Sequence, residues 1–223
     1  MQTHSSSTPL RLGAVALGLG ALVAPIQFAI SDPRRGVDPP QVFGSPQFIV
    51  GHLLSITSFI LLIFGTLALY ACLRSDRREG LAFVGMIVTL LGIGVFLSAY
   101  GFLFFVSPAL TQLALQGQKD AINVITAVAI IPGVITLVAG SALLALGAVV
   151  FSIAIWGGNT LPKWAGVLFA AGWLCIVFHT QLPQAGDILA GLLIAIGGTW
   201  LGWGIYRQAS VPVREVSAAS MAQ

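Results

Sequence analysis

Residues 81–106 contain no charged side chain. An α-helix rises about 1.5 Å per residue, so a stretch of that length crosses the roughly 30 Å hydrocarbon core of a bilayer. Once one such stretch exists, the rest of the chain must be arranged around a membrane. Further uncharged stretches lie at residues 12–30, 48–73 and 188–206, and 161–179 is apolar apart from Lys163 at its start. Another ends near Trp156 and begins at 121 or 133, depending on what Pro132 does. Only 8% of residues are charged and 57% are hydrophobic, where a soluble domain carries roughly 25% charged residues. So few charges cannot cover a water-facing surface, and intrinsic disorder requires the opposite composition. The spans are apolar on every side, which suits contact with lipid. The alternating pattern of a membrane barrel is missing, so each segment must satisfy its own backbone as a helix. The expected fold is all-α: a polytopic bundle of six transmembrane helices over residues 12–206, between disordered tails at 1–11 and 207–223.

Basic residues set the expected orientation. With the N-terminus inside, the inner segments hold Arg11, Arg74, Arg77, Arg78, Lys163, Arg207 and Arg214. The outer loops hold only Arg34, Arg35 and Lys119. That bias places both termini in the cytoplasm. Arg11 followed by an apolar run, with Ala29-Ile30-Ser31 behind it, also fits a secretory signal. The run is longer than a usual signal core, which favours a retained helix. No motif supports an inverted repeat of three helices plus three. The net charge of +3 reflects membrane orientation, since no basic cluster interleaved with aromatics points to nucleic acid. Cys72 and Cys175 lie at different depths and in no CxxC pair, so they read as free, apolar-like thiols rather than a disulfide or zinc site.

Charge inside a membrane usually marks function. Here every acid and base from Leu12 to Tyr206 falls in a loop or at a helix end. HExxH, GxSxG and Walker A sequences are all missing. This argues against pumps, voltage sensors and intramembrane proteases, and the chain reads as no enzyme with no catalytic residue. Polar candidates gather instead toward the outer face. Arg34 and Arg35 lie in a proline-rich loop, His52 opens the second helix, His179 closes the fifth, and Asp187 precedes the sixth. These are the candidate ligand-binding residues. His52 and His179 fit either interfacial histidines or a bis-imidazole haem or metal site. No second motif calls for a metal or cofactor, and only Asp38 and Asp187 could orient such ligands.

Three further patterns carry expectations. Ser107-Pro108 reads as the cap of a separate short helix, ended by Gly117, which serves as a connector or a lid. Phe96, Tyr100, Phe102, Phe104 and Phe105 form an interfacial belt or a quinone or pigment pocket. Trp164, Trp200, Trp203 and Tyr206 form the matching inner belt. Small-residue stripes at Gly198-xxx-Gly202, Ala14-xxx-Gly18, Ala16-xxx-Gly20 and Ser141-xxx-Ala145 mark helix contacts, within the chain or with a partner.

Leu161-Pro162-Lys163-Trp164-Ala165-Gly166, the closing run LAGLLIAIGGTWLGWGIYR and the earlier run HLLSITSFILLIFGTLALYACLR resemble small uncharacterised bacterial multi-pass inner-membrane proteins that carry a domain of unknown function. The resemblance implies a bacterial plasma-membrane location and a helical bundle, and no activity. Three function classes remain. The first is a non-enzymatic accessory or interaction component, partnered by the bilayer and by another membrane protein or a second copy. The second is a small-molecule or lipid-handling protein with its site at the outer face. The third is a haem- or quinone-binding redox protein. The orientation is directly testable: a thiol introduced by Gly36→Cys is expected to label from outside the cell and one from Asp76→Cys only from the cytoplasm. Labelling of position 36 from the cytoplasm would invert the topology.

Overall fold

The computed structural model describes residues 7–31, 45–74, 77–125, 127, 133–178 and 183–210. These residues form α1 (Ser7–Ser31), α2 (Pro46–Leu73), α3 (Glu79–Leu115), the short α4 (Lys119–Ile125), α5 (Val134–Gly157), α6 (Lys163–Val177) and α7 (Gln184–Ser210). No strand occurs among them, so the protein is all-helical. By length and apolar composition α1, α2, α3, α5 and α7 can each cross a membrane, while α6 is a shorter apolar helix. The helix at the fourth span begins at Val134 rather than at 121, and α4 is separate. α1 starts at Ser7 and α7 runs to Ser210, so the near ends of both anticipated tails are helical.

Local chemistry explains several boundaries. Ser45 is extended and its Oγ accepts from Phe48 N at 3.2 Å, with Pro46 at the first helical position, where its missing N–H costs nothing. α3 stops where Gly117 takes φ +88°. Gln118 N donates to Leu113 O and Gly117 N to Ala114 O, closing a Schellman turn that a β-carbon would strain. The expected separate helix after Ser107-Pro108 does not exist: α3 continues through Pro108 as one helix. A proline removes one intrahelical hydrogen bond, but apolar neighbours on both sides leave the chain no better way to satisfy its backbone.

The six long and intermediate helices close into a ring in the order α1, α2, α3, α5, α6, α7 and back to α1. Sequential neighbours pack side by side, and the first helix meets the last. Glycines make the seams tight. A β-carbon on Gly202 would lie 2.6 Å from Ala14 O across the α1–α7 seam. On Gly65 it would lie 2.7 Å from Leu17 Cα, and on Gly92 2.9 Å from Leu144 N. In lipid, such close backbone approach supplies the dispersion that holds helices together. The stripes foreseen on α1, α5 and α7 are therefore spent within the chain: Gly198 faces Ala21, and a β-carbon on Gly20 would lie 3.0 Å from Ser58 O. Ser141 and Ala145 are both buried.

Aromatics fill the middle of the ring. Phe59 stacks on Phe96 at 5.0 Å and meets Trp173 at 6.1 Å, and Trp173 meets Phe169 at 6.3 Å. The aromatic cluster of α3 thus divides. Phe96 and Tyr100 turn inward while Phe105 is 72% exposed, so the five residues form neither a single belt nor a single pocket. Trp164, Trp200, Trp203 and Tyr206 all face outward. Both free thiols are confirmed as such, with Cys72 Sγ donating to Gln208 Oε1 at 2.8 Å. Gly202→Ile is expected to force the α1–α7 seam apart and cost on the order of 1–3 kcal/mol, typical of overpacking. Thermal melting in detergent measures this, and an unchanged midpoint would show that the seam is slack.

Candidate functional site

One end of the bundle collects the described basic residues other than Lys119. α1, α3 and α6 begin there, and α2, α5 and α7 end there. Arg11 donates through Nε and Nη2 to Ala209 O at 3.2 and 3.1 Å, and its guanidinium lies 5.9 Å from the Tyr206 ring centroid. Arg78 Nη1 donates to Ile153 O at 3.0 Å, beneath Gly157. Gln208 Nε2 donates to Thr160 O, tying α7 to the turn between α5 and α6. Helix C-termini carry unsatisfied carbonyls and partial negative charge, so cations there are favoured by on the order of 0.3–1 kcal/mol each.

The opposite end holds the described members of the candidate site. Arg34, Arg35 and His179 lie outside the described residues, as does Asp38. His52 and Asp187 are described, and both are buried, at 5% and 2% exposure. His52 is therefore not the water-facing interfacial group expected from its place near the start of α2. Its ring lies 3.9 Å from that of Phe48 and 5.1 Å from that of Tyr100. Nδ1 sits 2.9 Å from Phe48 O. A carbonyl only accepts, so Nδ1 carries the proton and Nε2 keeps the lone pair. Ser55, one turn on, donates to Gly51 O at 2.9 Å and faces the Tyr100 hydroxyl.

Asp187 sits in the first turn of α7, where the helix dipole favours a carboxylate. α1 passes between α2 and α7 at this end and contributes Gln27, which is 2% exposed. His52 and Asp187 thus share an end of the ring but belong to helices on either side of α1. Among the described residues no group of three or more His, Cys, Asp or Glu side chains stands close enough to hold a metal ion. Reading residues by type found His52 and Asp187 but missed Tyr100 as the ring beside His52, and Ser55 and Gln27 as buried polar groups. An uncharged amide or hydroxyl in an apolar helix gives no sign of which way it faces.

A second surface emerges only from the packing. Gly94 and Gly101 on α3 differ from the seam glycines, because a β-carbon on either would meet nothing within 4 Å. Gly94 and Ser98 are exposed, flanked along the helix by Leu91 at 57% and Phe105 at 72%. Ser98 Oγ donates back to Val95 O at 2.7 Å, so the hydroxyl is spent on its own helix. Leu91, Gly94, Ser98, Gly101 and Phe105 recur at helical spacing and form one shallow face.

No known protein-family model, curated protein or solved structure matches the chain. His52→Ala is expected to destabilise the protein by about 2–5 kcal/mol, as for other large-to-small interior changes. His52→Phe should recover most of that loss, since it keeps the ring between Phe48 and Tyr100. Melting of both variants checks this. Equal damage from both would show that the imidazole nitrogens, rather than the ring, matter at this position.

Proposed function

We propose that the chain is a non-enzymatic accessory component of a bacterial plasma membrane, and that it engages another transmembrane helix through the exposed face of α3. The observation that carries the reading is the contrast between glycines. Gly65, Gly92 and Gly202 lie in closed seams, while Gly94 and Gly101 open onto the lipid side. A small-xxx-small pattern such as Gly94-xxx-Ser98 brings helix backbones together in lipid. Leu91 and Phe105 at its ends supply the bulk that would interlock with an incoming helix. The polar interior supports the same reading. His52, Ser55 and Ser141 each bond a carbonyl of their own helix, an arrangement that steadies packing and needs no substrate.

A second reading rests on the end that buries Gln27, His52 and Asp187 together. Three such groups, with buried hydroxyls on α2 and α3, would suit the handling of a small polar molecule, for which Arg34, Arg35 and His179 remain candidate contributors. A haem or quinone role for His52 has less support: the Phe48 carbonyl leaves Nε2 its lone pair, but the ring is buried beside Phe48 and Tyr100, and among the described residues no cluster of metal-ligating side chains includes it.

Ser98→Cys in a chain lacking Cys72 and Cys175, labelled with a photoactivatable maleimide, is expected to cross-link to a neighbour on illumination of native membranes. Gly94→Leu should abolish that cross-link while changing the unfolding free energy by no more than about 0.5 kcal/mol, as for substitutions that touch nothing. A protein that stays uncross-linked and runs as a lone chain in mild detergent would refute the association.

A further inference from the structure

A groove of about 1010 Å³ runs along the outside of the bundle between α1 and α2 at the basic end. Its floor is made of small residues, Gly13, Ala16, Ala68 and Ala71, and its walls of Leu12, Leu67 and Phe64. The floor exists because α1 and α2 approach closely here: a β-carbon on Gly13 would lie 3.0 Å from Phe64 O. The mouth of the groove is polar, lined by Ser7, Arg74 and Gln208.

The dimensions fit one molecule class. From Arg74 to Phe64 the groove follows α2 for ten residues, roughly 15 Å at about 1.5 Å per residue. That is half of a hydrocarbon core of roughly 30 Å, the depth of a single leaflet. An apolar furrow one leaflet deep with a cation at its mouth has the shape of a lipid lying against the protein. The charge is complementary to an anionic one. Among the described residues this end carries Arg11, Arg74, Arg77, Arg78, Lys163 and Arg207 against the single acid Glu79. Glu79 does not consume Arg74. Its Oε1 lies 3.9 Å from Nε, with both side chains well exposed, so the Nη edge remains for a phosphate. Arg11 and Arg78, by contrast, are committed to helix carbonyls. Arg74 is the cation that lines the groove.

We infer that this groove binds one anionic phospholipid of the adjoining leaflet, with its phosphate on Arg74 and an acyl chain along the Gly13–Ala16–Ala71 floor. The site lies on α1 and α2 and is independent of the α3 face, so neither reading depends on the other.

Native mass spectrometry of the full chain in mild detergent, with added phosphatidylglycerol or phosphatidylcholine, tests the assignment. The parent protein is expected to retain phosphatidylglycerol about tenfold better than phosphatidylcholine. Arg74→Gln should remove that preference. Arg207→Gln, which lowers the charge equally but lies outside the groove, should keep it. Ala71→Trp fills the groove from an exposed position and should remove retention of both lipids without lowering the melting midpoint. Equal retention of the two lipids by the parent would overturn the proposal. So would equal losses from Arg74→Gln and Arg207→Gln, which would mean diffuse attraction. Retention that survives Ala71→Trp, or a co-purified polypeptide displaced by it in place of lipid, would overturn it as well.

Discussion

Everything in this bundle depends on how closely two helix backbones can approach in a solvent that does not push them together. Lipid tails are as apolar as leucine, so burying leucine against leucine gains little over leaving it in the bilayer. Contact must come from density, and glycine permits the densest contact. Gly65 against Leu17, Gly92 against Leu144 and Gly202 against Ala14 set the distances between three pairs of neighbours. With those seams closed, the ring interior is narrow enough to be filled by Phe59, Phe96, Trp173 and Phe169. His52, Ser55 and Ser141 then bond carbonyls of their own helices, while the buried Ser58 hydroxyl reaches across the α1–α2 seam to Gly20 O at 2.7 Å.

The few charges follow from the same geometry. Three helices finish at one end of the ring and expose their last carbonyls there. Arg11 and Arg78 meet those of α7 and α5. Residues that read along the chain as orientation signals therefore also close helix ends. One arginine is left with a free edge beside an apolar furrow. Membrane insertion and end-capping account for most of the basic residues, which makes the placement of Arg74 informative.

Much of the fold was legible in advance. Because hydrocarbon imposes both length and composition, the apolar runs gave the helix bounds to within about five residues, except that α3 runs nine residues past the expected end at Val106. The stripes on α1, α5 and α7 were recognisable as contacts. Which face each helix turns inward was hidden, since a helix apolar all round has no polar stripe to orient it. Hence His52 looked interfacial and is buried, and the aromatics of α3 looked like one group and are two. Pro108 misled for a related reason. In water a proline of this kind ends a helix, but in an apolar run the chain has nowhere better to send its carbonyls. Gly94-xxx-Ser98 was readable by the same rule as the other stripes, but only packing separates a seam already closed from one still open. Of the candidate site, His52 and Asp187 were found by residue type, and the uncharged groups around them were not.

The meeting of α1 and α7 has a consequence for biogenesis. Arg11 and its carbonyl partner on Ala209 are separated by 198 positions in the chain. At synthesis rates of about 5–20 residues per second, the first helix waits on the order of 10–40 s for the last to emerge. During that interval the face of α1 formed by Ala14, Gly18 and Ala21 has no cover. Closure of the ring thus waits for α7. A nascent chain stalled before α7 would present a helix ready to pair with whatever small-residue helix lies nearby, so insertion of α7 is the step that removes α1 from promiscuous contacts.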